Sequence, residues 1–341
     1  MQWRKYLRFL ASIQLLPALE SGEETLVGGQ AVLEGVMMRS PHAWGIAVRR
    51  PSGEIASHSE PLERPSDKHR WMRLPVVRGV ITLGYAMMLG FRALRFSANV
   101  ALNEAQAGVA PEKKIEIKGW VAALNIAISL GFFIFMYKFL PLLAATELKR
   151  VSPSFDSQFW FNVIDGAIRI ALFLAFIWAT SLWKDLRRVY QYHGAEHKTV
   201  FAFESGDPLT IPNAQKYSTF HPRCGTSFLM TVMLVSIAIY MTVPVTSFAG
   251  RFAIRLALLP LIIGISYEII RFAARLRNQS LAAGRPTGAA AWLFHVLTAP
   301  GLWLQRITTQ PPADDQVECA ILALNDAMEL EKARGGQLVI A

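Results

Sequence analysis

Cysteine is almost absent: Cys224 and Cys319 are the only two in 341 residues. Both fall in segments expected to be cytoplasmic, which excludes an extracellular disulfide framework and leaves free thiols or a metal ligand. Charged residues are also scarce, 18% of the chain against 52% hydrophobic, a balance more apolar than that of ordinary globular proteins. The N-terminus carries Arg4, Lys5 and Arg8 but has neither a long apolar h-region nor an A-x-A cleavage site. A secretory signal is thereby excluded, and residues 1–24 are expected to form a retained interfacial helix. The net charge of +10 is not gathered on a face that follows phosphates, which argues against nucleic acid as a partner.

What the chain has instead is apolar runs. Segments 120–144, 163–183, 227–248 and 252–272 are each long enough to cross a hydrocarbon core about 30 Å thick. The expected fold class is an α-helical integral membrane protein with about four transmembrane helices, a small β-containing cytoplasmic unit and a helical cytoplasmic loop. The β-rich unit is placed at 25–75, where 43–48 and 54–59 flank a Pro51-Ser52-Gly53 turn. Residues 76–118 read as an amphipathic interfacial helix and linker. Inserting Arg78, Arg92 and Arg95 near the bilayer centre would cost about 2.5–3.5 kcal/mol each. Lys138, Asp165 and Arg169 lie toward span ends, where snorkelling explains them. Glu268, near the end of the fourth span, is either membrane-facing or part of a site. The short run 289–304 is interrupted by Pro300-Gly301 and reads as re-entrant or interfacial. In the tail from 311, Val317, Ile321, Leu324 and Met328 recur at helical spacing, the pattern of an amphipathic helix docking on the cytoplasmic domain.

Orientation follows from the flanks. Sixteen Lys and Arg precede Trp120, two lie in 145–162, and five lie between Asp185 and Thr226. The poor loop is expected outside and both termini in the cytoplasm of a bacterial inner-membrane, multi-pass protein. The lipid bilayer is then the first partner.

Chemistry concentrates in the loop 184–226. His193-Gly194-Ala195-Glu196-His197 puts two imidazoles one helical turn apart, the separation that suits one Zn²⁺. The H-x-x-E-H order is that of inverted zinc peptidases, in which the glutamate is a general base toward water. His221 and Cys224 add further ligand types, and Glu204, seven residues after His197, adds a carboxylate. The bland alternative is a solvated helix with Cys224 as a small buried residue and His221 at the start of the next span. A second polar stretch runs from Gly28 to Pro41, where Glu34 and Arg39 either pair on a hairpin surface or meet a ligand. It lacks the P-loop order.

Five stretches together resemble the bacterial YqhQ-like family: GGQAVLEGVMMRSP from Gly28, RGV from Arg78, SANVAL from Ser97, YHGAEHKTV from Tyr192 and HPRCGTSFL from His221. That family carries a domain of unknown function and is often labelled a predicted metal-dependent enzyme. The resemblance implies a multi-pass inner-membrane protein and directs attention to His193, Glu196, His197, His221, Cys224, Glu34 and Arg39.

Two functions compete. The leading expectation is a membrane-embedded, metal-dependent enzyme, a hydrolase using Zn²⁺ held by His193, His197 and His221 with Glu196 activating water, acting on a lipid or protein at the cytoplasmic membrane face. Its rival is a non-enzymatic scaffold or regulator whose histidine cluster is structural or senses metal or pH. A transporter would need charges or breaks at the bilayer midplane, which the clean spans do not suggest. Oligomeric state leaves no sequence signal. Cysteine introduced at Ser154 is expected to react with an impermeant thiol reagent in intact cells while Cys224 stays protected; the opposite pattern would reverse the orientation.

Overall fold

The computed structural model describes residues 27–62, 69–104, 119–151, 157–221, 224–282 and 289–333. The expected interfacial helix at 1–24 and the labelling position Ser154 lie outside the described residues.

Four strands, β1 (Gly28–Val32), β2 (Gly35–Arg39), β3 (Ala43–Arg49) and β4 (Ile55–Pro61), form an antiparallel meander in sequence order. Val32 faces Gly35 across a two-residue turn in which Glu34 adopts φ 54°, the positive φ that tight hairpin turns require. Gly53, at φ 93°, closes the β3–β4 turn. Alternate side chains point to opposite faces, and both faces are covered. Met37, Trp44, Ile46 and Val48 cluster with Leu89 and Ala93 of α1 (Val77–Glu104). On the other face Val36, Met38 and Ala47 meet Tyr192 and Ala195, together with Val317, Ala320 and Leu324 of the last helix. Gly45 admits that last helix closely; a Cβ there would lie 2.5 Å from the Ala323 carbonyl.

After α1, α2 (Gly119–Ile134) passes through a π-helical turn, Phe135–Phe139, into α3 (Leu140–Val151). The Ser157 hydroxyl, accepting from the Trp160 amide, caps α4 (Gln158–Ser181). Then come α5 (Lys184–Glu204), the short α6 (Ile211–Gln215), α7 (Gly225–Met241) and α8 (Phe248–Ala257), which is capped by Ser247. The chain continues through α9 (Leu259–Ala282), α10 (Ala289–Thr308) and α11 (Asp314–Ala333).

Among the described residues three helical stretches are, by length and composition, able to cross a membrane: Val77–Leu102, Ala127–Val151 and Gln158–Ser181. A fourth is available if α8 and Leu259–Phe272, bent by 48°, count as one span. The apolar α7, at 17 residues, is shorter. The expected run 227–248 therefore ends early, because Pro244 falls in a non-helical connection before Ser247 begins α8. The expected break at Pro300-Gly301 does not occur. Pro300 lies inside α10, and Gly301 is where α10 presses on Ser227 of α7 with no room for a Cβ. α1 has the length of a span, yet Tyr85, Leu89, Ala93, Phe96 and Val100 pack on the sheet cluster, while Met87, Met88 and Leu94 remain exposed. Lys138, Asp165 and Arg169 do not snorkel; each is at most 5% exposed.

The β2–β3 loop is tied to the end of α11 by Glu331. Its carboxylate accepts from Ser40 Oγ, the His42 amide and His42 Nδ1, each at 2.7 Å. Burial opposes its ionisation, but the bonds from His42 and Ser40 outweigh that and hold the carboxyl below the usual glutamate range. A depressed carboxyl pKa gives stability that is present above the unfolded value and lost as pH falls through the folded one. Glu331→Gln should therefore cost about 2 kcal/mol near neutral pH, and urea titrations should show the gap closing below about pH 4.

Candidate metal centre

Helix α5 runs beneath β1 and carries both imidazoles on one face. His193 donates Nδ1–H to the Thr308 carbonyl at 2.8 Å, and His197 donates Nδ1–H to the Thr219 carbonyl at 2.5 Å. A carbonyl only accepts, so these bonds fix the tautomer and leave both Nε2 lone pairs free. His193 Nε2 lies 3.2 Å from Cys224 Sγ, and His197 Nε2 is buried with no hydrogen-bond partner. Ligand atoms of His193, His197 and Cys224 all lie within 4.8 Å of one another. Two imidazoles and a thiol gathered around an unpartnered buried nitrogen fit a divalent metal.

Glycine makes this approach possible. At Gly194 a Cβ would run into the Gln310 carbonyl, and the Gln310 amide bonds the Tyr190 carbonyl at 2.9 Å. The C-terminal end of α10, where carbonyls lack helical partners, is thus pressed against α5 and reaches His193. Cys224 arrives as the residue preceding the first turn of α7.

Glu196 faces the same centre. Its Oε2 is 3.9 Å from His193 Nε2 and 3.8 Å from His197 Nε2, and its side chain is 9% exposed. Gly29 of β1 lies directly over it, where a Cβ would be 2.7 Å from Glu196 Cγ. Arg39, across the hairpin from Gly28, interacts electrostatically with Glu196 and Tyr267. The Gly28–Pro41 motif and the histidine motif therefore meet at Glu196.

His221 and Glu204 form a neighbouring pair, with His221 Nε2 3.4 Å from Glu204 Oε2, and neither joins the three-residue ligand group. The His221 backbone is clamped by Gln305, whose Oε1 accepts from the His221 amide at 2.7 Å and whose Nε2 donates to its carbonyl at 2.8 Å. The ring meets Phe201 edge-on, with centroids 4.5 Å apart.

Glu34 does not pair with Arg39, since the turn and the strand end are separated by the length of β2. It is held by Arg188 instead, through Nε at 2.6 Å and Nη2 at 2.5 Å, and by the Tyr192 hydroxyl at 3.3 Å. Burial, with Cys319 and Glu34 nearby, pushes the Tyr192 phenol upward. Glu268 accepts from Arg78 Nε at 2.7 Å and Nη2 at 2.5 Å, and from the Val76 amide at 3.2 Å. It thereby anchors Val76 at φ 69°, an uncommon backbone state for a β-branched residue. Burial pushes the Cys319 thiol up to about 11, in keeping with a structural side chain. Sequence reasoning missed Gln305, Thr219 and Thr308. The last two act through main-chain carbonyls and leave no mark in residue type.

The family described as "Protein of unknown function (DUF1385)" matches residues 74–330, a stretch that includes every ligand candidate. "Uncharacterized protein YqhQ" of Bacillus subtilis (strain 168) is 32% identical over 309 residues, covering 89% of this chain and 92% of that protein. No solved structure matches the chain.

Gln305→Met keeps side-chain length but removes both bonds to the His221 backbone, whose carbonyl then keeps the Cys224 amide at 3.3 Å. It is expected to destabilise the protein by about 2 kcal/mol or more, whereas the exposed Arg306→Gln should stay within about 0.5 kcal/mol. Chemical denaturation of the two variants in one detergent checks the difference.

Proposed function

We propose, for a chain that belongs to the DUF1385 family, that His193, His197 and Cys224 hold a divalent metal, Zn²⁺ in the first instance, in a hydrolase working at the cytoplasmic face of the bacterial inner membrane. The observation that carries this reading is the pair of carbonyl-fixed imidazoles, whose free Nε2 atoms converge with Cys224 Sγ. Imidazole and thiolate both suit Zn²⁺, and an outer carbonyl that orients each imidazole is the usual companion of such ligation.

Zn²⁺ held there would supply Lewis acidity, polarising a carbonyl or phosphoryl oxygen and easing the ionisation of water. The protein's own groups account for the rest. His193 and Cys224 are partly exposed while His197 and Glu196 are buried, so a substrate approaches from the His193 side. Glu196, 3.8–3.9 Å from both Nε2 atoms, is the base that takes a proton from the attacking water. Arg39 interacts electrostatically with it. His221 and Glu204 form a second polar pair next to the centre. The rival reading, a structural metal in a scaffold, gives Glu196 no such duty.

Placement at the membrane rests on α1, the stretch Ala127–Val151 and α4. The exposed Met87, Met88 and Leu94 give α1 an apolar outer face opposite the sheet, as an interfacial helix would have. The basic flanks then put the sheet, the metal centre and both termini in the cytoplasm, with a membrane-proximal lipid or protein as substrate.

Elemental analysis of protein purified without chelator should find about one zinc or other divalent ion per chain. His193→Ala, His197→Ala and Cys224→Ser should each remove most of it, and acid should release it by protonating the ligands. Glu196→Gln should retain the metal and lose hydrolysis. Retained hydrolysis in that variant would remove Glu196 as the base, absence of any hydrolysis in the metal-loaded unaltered chain would leave the scaffold reading, and full metal occupancy in His197→Ala would remove the centre altogether.

A further inference from the structure

Four cations are buried side by side among the apolar helices. Lys138 in the π-helical turn, Arg169 on α4, and Arg251 and Arg255 on α8 are each at most 8% exposed. Among the described residues one buried carboxylate answers them. Asp165 pairs with Arg169 and, at 2.5 Å, with Arg255 Nη1. Tyr240 sits in the middle, with Lys138, Arg169 and Arg255 5.1–5.5 Å from its ring centroid. Its hydroxyl accepts from Lys138 Nζ at 3.2 Å and donates to the Arg255 carbonyl at 3.3 Å.

Asp165 balances one of these charges and leaves donors over. Arg255 has five N–H donors, and among the described residues only Nη1 is engaged, with Asp165. Arg169 Nε is buried without a partner. Unbalanced charge and unmade hydrogen bonds are both costly away from water, so such a cluster persists best with a counter-ion. The adjoining cleft is half open and small, its enclosed space about 10 Å³, room for one oxygen of an anion seated at its mouth. Arg251 and Arg255 line this cleft with Gln158, Asn162 and Tyr240. Its rim is fixed by Gln158, which donates to the Val243 carbonyl at 2.8 Å and accepts from Arg251 Nη2 at 3.1 Å. Arg251 Nε donates to the Val245 carbonyl at 2.7 Å, and its guanidinium lies 3.7 Å over the Phe161 ring.

We infer that this cluster is a binding site for a phosphate-type anion, offered either by free phosphate or by a phospholipid headgroup. Planar guanidinium forks match phosphate oxygens in pairs, and here they are held in place before any ligand arrives. Phe159 and Trp160, at the same end of α4 as Gln158, are 55% and 50% exposed, the aromatic dressing typical of a membrane–water boundary where headgroups lie. The site is independent of the metal centre. Tyr240 lies sixteen positions beyond Cys224, about 24 Å along α7.

The test uses full-length protein purified in detergent without phosphate. Tryptophan fluorescence follows thermal unfolding while inorganic phosphate, or phosphatidylglycerol in the same detergent, is titrated at constant ionic strength against chloride. At least one of the two should raise Tm saturably where chloride does not. Response to phosphate alone assigns the free anion, and response to the phospholipid alone assigns the headgroup. Arg255→Gln and Arg251→Gln should each weaken half-saturation at least tenfold. Asp165→Asn removes the carboxylate that competes for the same guanidiniums and should strengthen half-saturation severalfold, which loss of packing would not do. Should Arg255→Gln fail to fold, Arg251→Gln, whose guanidinium does not touch Asp165, carries the comparison. No response to either probe, or equal half-saturation in Arg251→Gln and the unaltered chain, overturns the proposal.

Discussion

The approach of α10 to α5 is the constraint on which the candidate metal centre depends. Because residue 194 has no side chain, the Gln310 carbonyl rests against α5, and the last turn of α10 brings the Thr308 carbonyl to His193 and Gln305 to the His221 backbone. Any Cβ at 194 would push this end away and take the Thr308 carbonyl from His193 and Gln305 from the His221 backbone together. The glycine in the HGAEH stretch is thus a packing requirement of the site. It costs about 1 kcal/mol of helix propensity relative to alanine, a loss that the contacts it permits must offset.

A good part of this was legible in the sequence. The small antiparallel sheet announced itself through alternation and the Pro51-Ser52-Gly53 turn, and the histidine pair through i,i+4 spacing on a helix. The choice among third ligands was not legible. His221 and Cys224 are three residues apart and both chemically suited. What separates them is Gln305, more than eighty residues away in sequence, which pins the His221 backbone so that its ring turns toward Glu204 and Phe201. Nor did spacing reveal that Gly29 covers Glu196, since a contact between a strand and a helix has no local signature. The buried charges were misread for a related reason. Position along a run tells how far Lys138, Asp165 and Arg169 lie from its ends, but not which neighbour each faces. Here they face one another and Tyr240, away from the ends to which snorkelling would take them.

Charged residues in striking-looking motifs also divide by what they touch. Glu34 and Glu268 each accept a two-pronged bond from an arginine and each stands beside a residue with positive φ or has one itself. The Arg188–Glu34 pair is nearly half exposed on both sides, and such pairs contribute about 0–1 kcal/mol; its value is in fixing the hairpin turn against α5. Glu268 performs a heavier task, because an unfavourable backbone state costs about 1–3 kcal/mol and must be held by its surroundings. Arg39, by contrast, interacts electrostatically with Glu196, whose carboxylate faces the ligand group.

The ligands also belong to different layers. His193 and His197 sit on the helix that supports the sheet, whereas Cys224 heads an apolar helix of the bundle. In an unfolded chain they are separated by a connection of some two dozen residues, so an ion that binds all three binds the assembled state. Binding of that kind stabilises the fold by mass action and does so at the junction between the sheet-bearing half and the helical half. The anion cluster has the corresponding logic at the far end of α7, where guanidiniums from α4 and α8 converge on Tyr240 from a third helix. In each case a charge of the missing sign would lock helices that their apolar surfaces alone leave free to slide, because apolar contact between helices in lipid has little directional preference while a coordinated ion fixes both distance and angle.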